Sequence, residues 1–269
     1  MFDQWVNDLR HADAAARYEA AQKLGASGDK GAVQPLISAL TDDNAKVQYA
    51  AVSGLVKLDA AEAASPIIDL LLNARACRVW DLLKLNIGMR LRNGLLDMAG
   101  RIEMHPTTME RLSAAIDSPD YDELQRAFFV RLLGRTMQSA HVERLIDMLA
   151  QDTVIMQGAA AEALGWLRDE RAVPMLLLTL NDDDYNVREI ALESLGRIGH
   201  PAALDPLLEA LQDDSEWLRR AAAQALGDLG DPRAMHALTA ALQDDSRVVQ
   251  DAAFESIKRV DRARGSGAE

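Results

Sequence analysis

The stretch DDYNVREIALESLGRIGHPAALDPLLEALQDD, residues 183–214, decides the fold. Within it Val187, Ala191, Leu195 and Ile198 follow one another at steps of four, four and three, the spacing of one helix face. Gly199, His200 and Pro201 then break the pattern: glycine accepts a left-handed helix end and proline suits a first helical turn. A second apolar face follows in Ala203, Leu204, Leu207, Leu208 and Leu211, and it closes at the acidic turn Asp213-Asp214. Neither helix can bury its stripe alone, so the unit is a helix pair that needs neighbours.

Outward from this unit the same frame recurs. Gly134, Gly165, Gly196 and Gly227 stand 31 residues apart, each preceded by a leucine (Leu133, Leu164, Leu195, Leu226). A second column of the frame reads Arg126, Gln157, Arg188, Arg219 and Gln250. Near the start, Arg17 and Gln48, Leu9 and Leu40, and Pro35 and Pro66 keep the same step. A step held over consecutive units marks a repeat array in which each unit contacts mainly its neighbours. The spacing predicts a half-unit over 2–11 and helix pairs at about 13–40, 44–72, 90–116, 122–150, 153–180, 184–211 and 215–242, then a single helix at about 246–260. One domain over 1–260 is expected, with an irregular insertion at 74–89; the tail 261–269, DRARGSGAE, lacks apolar periodicity and is expected to be disordered.

Composition narrows the function classes. The chain has 269 residues, 49% of them hydrophobic and only 4% aromatic, a balance of small and unbranched side chains that suits helix-on-helix packing. A net charge of −13 argues against general affinity for nucleic acid, which rests on neutralising phosphates. The single cysteine, Cys77, permits no intramolecular disulfide. Asp3 and Asp8 interrupt the first ten residues, so no signal peptide is expected there, and no stretch approaches the roughly 18 apolar residues of a membrane span. A cytoplasmic protein with neither membrane nor nucleic-acid partner is the expectation.

The segments ARYEAAQKLGASGDKGAVQPLISAL (16–40), VREIALESLGRIGHPAALDPLLEAL (187–211) and LRRAAAQALGDLGDPRAMHALTAALQDD (218–245) resemble HEAT repeats. More narrowly, they are similar to the short HEAT-like repeats of phycobilisome lyase subunits. The resemblance covers nearly the whole chain except about 74–90 and the tail. It implies an all-α fold, a right-handed α-solenoid of about seven helix pairs with terminal half-repeats. It also implies arginines after the turns that pair with aspartates of an adjacent unit: Arg188 and Arg219, beside Asp182–Asp184 and Asp213–Asp214, fit, whereas Gln157 and Gln250 depart from the pattern.

The frame breaks between Gln48 and Arg126, where ARACRVWDLLKLNIGM (74–89) is surplus. Residues 74–102 sum to +4, leaving −17 for the rest of the chain. Two readings stand. In one, an extra helix packs Trp80, Leu83, Ile87 and Leu91 onto the stack. In the other, Arg78, Lys84, Arg90 and Arg92 form an anion-recognising patch beside Trp80, suited to an acidic partner segment or a carboxylate ligand. A second candidate surface is the inner row of second helices. Its outward positions would be Glu110, Arg111 and Ala114, then Glu143, Arg144 and Asp147, Pro174, Met175 and Leu178, Asp205, Pro206 and Glu209, and His236, Ala237 and Ala240. Met175 and Leu178, flanked by Arg144, would give that row an apolar spot. Trp166 and Trp217 fall at polar-tolerant, partly exposed positions of the frame and are candidate interface anchors.

Motifs that carry chemistry are missing from the sequence. The histidines (His11, His105, His141, His200, His236) lie in or beside turns and none pairs at a four-residue ligand spacing. No histidine is followed directly by glutamate, as a HEAT-repeat di-iron enzyme would require. Paired aspartates such as Asp42-Asp43 and Asp244-Asp245 read as helix-capping turns. No catalytic residue, metal or cofactor is implied. The expected function is a non-catalytic scaffold or adaptor that binds a protein partner in the solenoid's groove. The alternative implied by the resemblance is a bilin lyase subunit or chaperone, with the basic insertion holding propionates and Trp80 against the ring system. Nucleic-acid binding is a distant third, because it would want cations along the whole groove.

Overall fold

A computed structural model describes residues 1–73, 80, 88–101, 104–136 and 139–266, with the side chains of 88–90 and 264–266 outside the description. Every regular element among the described residues is helical. In chain order these are α1 (Phe2–Asp8), α2 (Ala14–Ala26), α3 (Val33–Ala39), α4 (Ala45–Lys57), α5 (Ala64–Leu71), α6 (Gly88–Ala99), α7 (Pro106–Ala115), α8 (Glu123–Arg135), α9 (Val142–Gln151), α10 (Val154–Leu167), α11 (Val173–Thr179), α12 (Tyr185–Ile198), α13 (Leu204–Ala210), α14 (Glu216–Leu229), α15 (Met235–Ala241) and α16 (Arg247–Ser266). The contacts group them into two compact units, Met1–Asp122 and Glu123–Glu269. The architecture is an α-solenoid of helix pairs, as the periodicity predicts.

Each pair is punctuated by the same polar devices. Asp13, Asn44 and Asp184 accept backbone N–H groups at the starts of α2, α4 and α12, satisfying donors that have no partner inside the helix. The turn between the helices of a pair is a single 3₁₀ turn, capped by the side chains of Asp29, Asp169, His200 and Asp231. His200 therefore serves the turn: its Nδ1 accepts the N–H of Ala202 at 3.2 Å. Just before that turn the backbone goes left-handed at Gly28, Gly199 and Gly230, and at the non-glycine residues Asp59 and Arg168, both with φ of 53°.

Within each unit the first helices of successive pairs lie side by side, in the order α2–α4 and α8–α10–α12–α14–α16. The contact is close because one helix offers a glycine where the next offers a small residue. A Cβ built on Gly25 would lie 2.4 Å from Gly54 Cα, one on Gly134 2.4 Å from Ala163 Cα, and one on Gly196 2.6 Å from Ala225 Cα. Gly165 meets Ser194 and Gly227 meets Ser256 in the same way. Around these contacts Leu24, Leu55, Leu133, Leu164, Leu195 and Leu226 are fully buried. The leucine of each Leu-Gly pair is thus core, and its glycine is the point of nearest backbone approach.

Two features bear on the expectations. Helix α16 runs on to Ser266, past the expected end at 260. Val260 is fully buried at the end of the expected helix, and Ala263 Cβ, within the expected tail, lies 3.5 Å from where Gly230 of the preceding repeat would carry a Cβ. The second concerns Trp80, which is buried at 5% exposure and donates its ring N–H to the Leu71 carbonyl at 3.0 Å. With its one donor satisfied inside the fold, Trp80 is a packing residue and offers no ring face to a ligand.

Candidate protein-binding surface

The residues singled out in the insertion are only partly within reach of description. Arg78 and Lys84, together with Leu83, Ile87 and Cys77, lie outside the described residues, as does the side chain of Arg90. Arg92, on α6, is half-exposed, while Leu91 beside it is buried. Arg111, on α7, reaches across to α5 and pairs with Asp69 at 2.6 Å, and Thr108 donates to the same carboxylate. The latter pair ties two repeats of the N-terminal unit together.

In the C-terminal unit the row of second helices presents its polar positions outward. Glu143 and Asp147 are exposed and Arg144 half-buried on α9; burial, with Arg144 nearby, holds the His141 imidazole below its ordinary pKa. On α11, Met175 is half-buried and Leu178 is 67% exposed. Pro206 and Glu209 follow on α13, and His236 and Ala240 on α15.

Two of these positions line a cavity of about 540 Å³. Its walls are Leu177 and Leu180 from α11 and its end, Arg188 and Leu192 from α12, Pro206, Glu209 and Ala210 from α13, and Asp213 and Leu218 beyond. The sequence reading found Pro206 and Glu209 but not Leu177, Arg188 or Asp213 as lining residues.

The cavity sits where the ladder of inter-repeat ion pairs is open. One repeat further on, Arg219 donates to Asp244 at 2.8 Å and to Asp245 at 2.8 Å, and also to the carbonyls of Asp213 and Asp214. That guanidinium, helped by the N–H of Ser246, pulls the Asp244 pKa from 3.8 to about 2. In the N-terminal unit Arg17 makes the matching contacts with Asp42 at 2.7 Å and Asp43 at 2.6 Å. Burial pushes the Asp42 carboxyl upward, but Arg17 and the N–H of Asn44 outweigh it and hold the pKa below the ordinary value. Arg188, by contrast, donates to the carbonyls of its own turn, Asp182 at 2.6 Å and Asp183 at 3.1 Å, and no ion pair joins it to Asp213. Gln48 and Gln250 keep the carbonyl half of this pattern, donating to Asp42 and Asp244. Of the two arginines that fit the implied pattern, Arg219 makes the aspartate pairs and Arg188 makes only the carbonyl contacts; Arg17 adds a second instance in the N-terminal unit.

The row of first helices carries a different set of charges. Arg131 pairs with Glu162 at 2.6 Å and Arg220 with Glu189 at 2.5 Å. Glu193, mostly buried among these groups, has its pKa raised by that burial despite Arg197 at 3.1 Å. Trp166 lies half-buried under the Arg135 guanidinium at 4.6 Å, and Trp217 is 51% exposed, 5.8 Å from that of Arg220.

Among the described residues no group of three or more His, Cys, Asp or Glu side chains is arranged to hold a metal ion, and no helix is long and apolar enough to cross a membrane. None of the curated proteins matches the chain. Among solved structures, importin beta superposes with a TM-score of 0.65 at 19% identity over 99% of this chain and 42% of that one. Kap95p, in a structure of its binding to RanGDP, gives 0.54 at 13% identity over 98% and 40%. The CpcE–CpcF complex of phycocyanin lyase from Nostoc sp. gives 0.50 at 20% identity over 98% and 94%. These likenesses are of fold, and this chain spans well under half the length of the first two. Models of HEAT repeats match residues 2–79, 108–184 and 173–258, and the chain belongs to the HEAT-repeat family.

Proposed function

We propose that this protein is a non-catalytic scaffold that holds a protein partner on the second-helix row of its C-terminal unit. The observation that carries the reading is the cavity between α11 and α13, whose apolar walls (Leu177, Leu180, Leu192, Leu218) meet polar groups of both signs, Arg188 against Glu209 and Asp213. Leu178, two-thirds exposed on the same short helix as Leu177, adds an apolar contact that a lone folded chain does not use. A pocket of this size takes one or two side chains of a partner, and a preformed helical framework loses little entropy when it does so. The positive charge that the sequence gathers in residues 75–92 would, on this reading, favour a partner with an acidic segment.

The phycobilisome-lyase type of repeat rests on the repeat segments themselves, but bilin handling loses the aromatic it used, because Trp80 is buried. The test is co-purification with quantitative mass spectrometry, using the native chain and the Leu178→Asp and Arg188→Ala variants after circular dichroism has shown them folded. A partner retained by the native chain and lost from both variants supports the groove; retention by both removes it. Titration with a free bilin is expected to give no visible absorbance shift.

A further inference from the structure

We propose that the edge formed by the starts of α8, α10, α12, α14 and α16 is a second docking surface, and that its occupant is a cationic amphipathic helix. The first two residues of these helices are Glu123-Leu124, Val154-Ile155, Tyr185-Asn186, Glu216-Trp217 and Arg247-Val248, five pairs at a constant step of 31. Leu124, Val154, Ile155, Tyr185, Trp217 and Val248 are all exposed, so every helix of the row contributes at least one large apolar side chain to solvent. Because the five helices pack side by side, held in register by the glycine contacts, these residues line one edge. Single exposed apolar residues are ordinary on a protein surface; a row that recurs at the starts of five packed helices, at the second position in four of them and at the first, Tyr185, in α12, is an extended patch.

The surrounding charge says what covers it. The turns leading into α10, α12, α14 and α16 each set an exposed aspartate beside the row: Asp152, Asp183, Asp214 and Asp245. Asp245 is paired with Arg219, while Asp152, Asp183 and Asp214 make no ion pair among the described residues. Arg188 and Arg219 point into the turn carbonyls. Arg247, the one exposed cation among the ten helix-start residues, lies 3.9 Å from Asp251, while Glu123 and Glu216 add acidic groups to the same row. An apolar row bordered by acidic groups complements a segment that is apolar on one face and basic at its margins. The spacing fits as well. Neighbouring helices pack roughly 8–10 Å apart, and a helix rising about 1.5 Å per residue brings the same face round every two turns, about seven residues or roughly 10 Å. One helical ligand laid across the row can therefore set an apolar residue on each anchor in turn. This surface uses residues that the groove reading does not, and it stands without that reading.

The probe is a synthetic helical peptide of Leu and Lys, about 28 residues long, with its leucines on one face. It is titrated against the full chain by isothermal calorimetry at physiological salt. Two further peptides serve as comparisons: a Leu/Glu peptide of the same pattern, and a Lys-rich peptide with no apolar face. The Leu/Lys peptide is expected to bind, and the other two to bind at least tenfold more weakly. An Ile155→Ser/Trp217→Ser variant is expected to lose at least tenfold in affinity. An Asp183→Asn/Asp214→Asn variant is expected to lose about threefold to tenfold and much of the salt dependence. Both variants keep the native helical circular dichroism, since the altered side chains face solvent. No binding of the Leu/Lys peptide overturns the proposal, as does equal binding by the Leu/Glu peptide or undiminished binding by the serine variant. Self-association of the native chain that disappears in the serine variant would assign the edge to a second copy instead, and would also overturn it.

Discussion

The N-terminal unit holds Arg17 against Asp42 and Asp43, and the C-terminal unit holds Arg219 against Asp244 and Asp245, with the same atoms and nearly the same distances. Gly25 meets Gly54 in one unit as Gly196 meets Ala225 in the other. Inside, then, the two units are copies. Outside they are not. In the N-terminal unit α2 and α4 begin Ala14-Ala15 and Ala45-Lys46, whereas α10, α12 and α14 of the C-terminal unit begin Val154-Ile155, Tyr185-Asn186 and Glu216-Trp217. The N-terminal unit has a cleft of about 210 Å³ over the Gly25–Gly54 contact, lined by Tyr18, Tyr49, Gln22 and Lys57. The C-terminal unit has a larger cavity, about 540 Å³, with Arg188 and Asp213 both on its wall. The residues that stack one repeat on the next recur from unit to unit. Those that could recognise a partner are where the copies differ.

The strongest way to break this comparison is to attack what the copies share. Gly196→Val puts a branched side chain where even a Cβ would stand 2.6 Å from the Ala225 backbone. The helices must separate, at a cost of about 3 kcal/mol or more, near 10 °C in the melting temperature of a unit this size. Hydrogen exchange is expected to show the loss in α12 and α14. Gly199→Ala is the control: its φ of 78° is awkward for alanine but nothing lies within 4 Å, so only about 1 kcal/mol is lost.

Next in size is the ion ladder. Arg219→Ala removes a guanidinium that serves two carboxylates and two carbonyls, and about 2 kcal/mol of stability is expected to go with it. Arg188→Ala, which loses only carbonyl contacts, is expected to cost about half as much. The pair also has a pH signature. The folded-state pKa of Asp244 lies below its ordinary value of 3.8, at about 2. Its contribution is therefore complete above pH 4 and is lost as the pH falls through 2. Urea titrations over that window are expected to show a shallower acid dependence for Asp244→Asn than for the native chain. The same substitution at Asp42 should flatten the N-terminal unit's dependence in the same direction, since Arg17 depresses that carboxyl too.

The shared interior was largely readable beforehand, and for a physical reason. Burial repeats every 31 residues, so Leu133, Leu164, Leu195 and Leu226 announced both the pairs and their boundaries. The reading stopped short on the glycines. They were seen as a marker of the frame, but their partners Ala163, Ser194, Ala225 and Ser256 also recur every 31 residues, and that column would have shown a helix–helix contact. Of the exposed row Leu124, Ile155, Trp217 and Val248, the frame shows Trp217 as an outward position, but a search for core positions passes over the other three, apolar residues that stay outside. At Trp80 the sequence left packing and ligand contact both open, because 74–89 lies outside the frame, where no neighbouring unit says which way a side chain turns; the structure has it packed. The open Arg188–Asp213 step was hidden for the opposite reason: the residues obey the repeat and only the geometry departs from it.

A smaller effect separates the two units at one matched position. Arg168 and Asp59 both take the left-handed conformation that Gly199 and Gly230 occupy elsewhere. Asp59 is compensated, because Arg101 pairs with it across 42 residues. Arg168 is exposed and gains no such pair. Arg168→Gly is therefore expected to raise stability by up to about 1 kcal/mol, whereas Asp59→Gly should leave thermal unfolding unimproved or worse.

The smallest expected effect on stability belongs to the residues proposed to matter most for recognition. Ile155 and Trp217 leave much of their surface in water at the starts of helices whose buried faces lie elsewhere. Replacing both by serine should change the unfolding free energy by no more than about 0.5 kcal/mol each, within the scatter of the Ala14-Ala15 starts that the N-terminal unit already tolerates. A melting temperature lowered as far as by Arg219→Ala would mean that the apolar edge is part of the stacking interior and that the units differ in packing. An unchanged melting temperature leaves these side chains with no structural task. Their exposure, repeated along five helices, then needs an occupant from outside the chain.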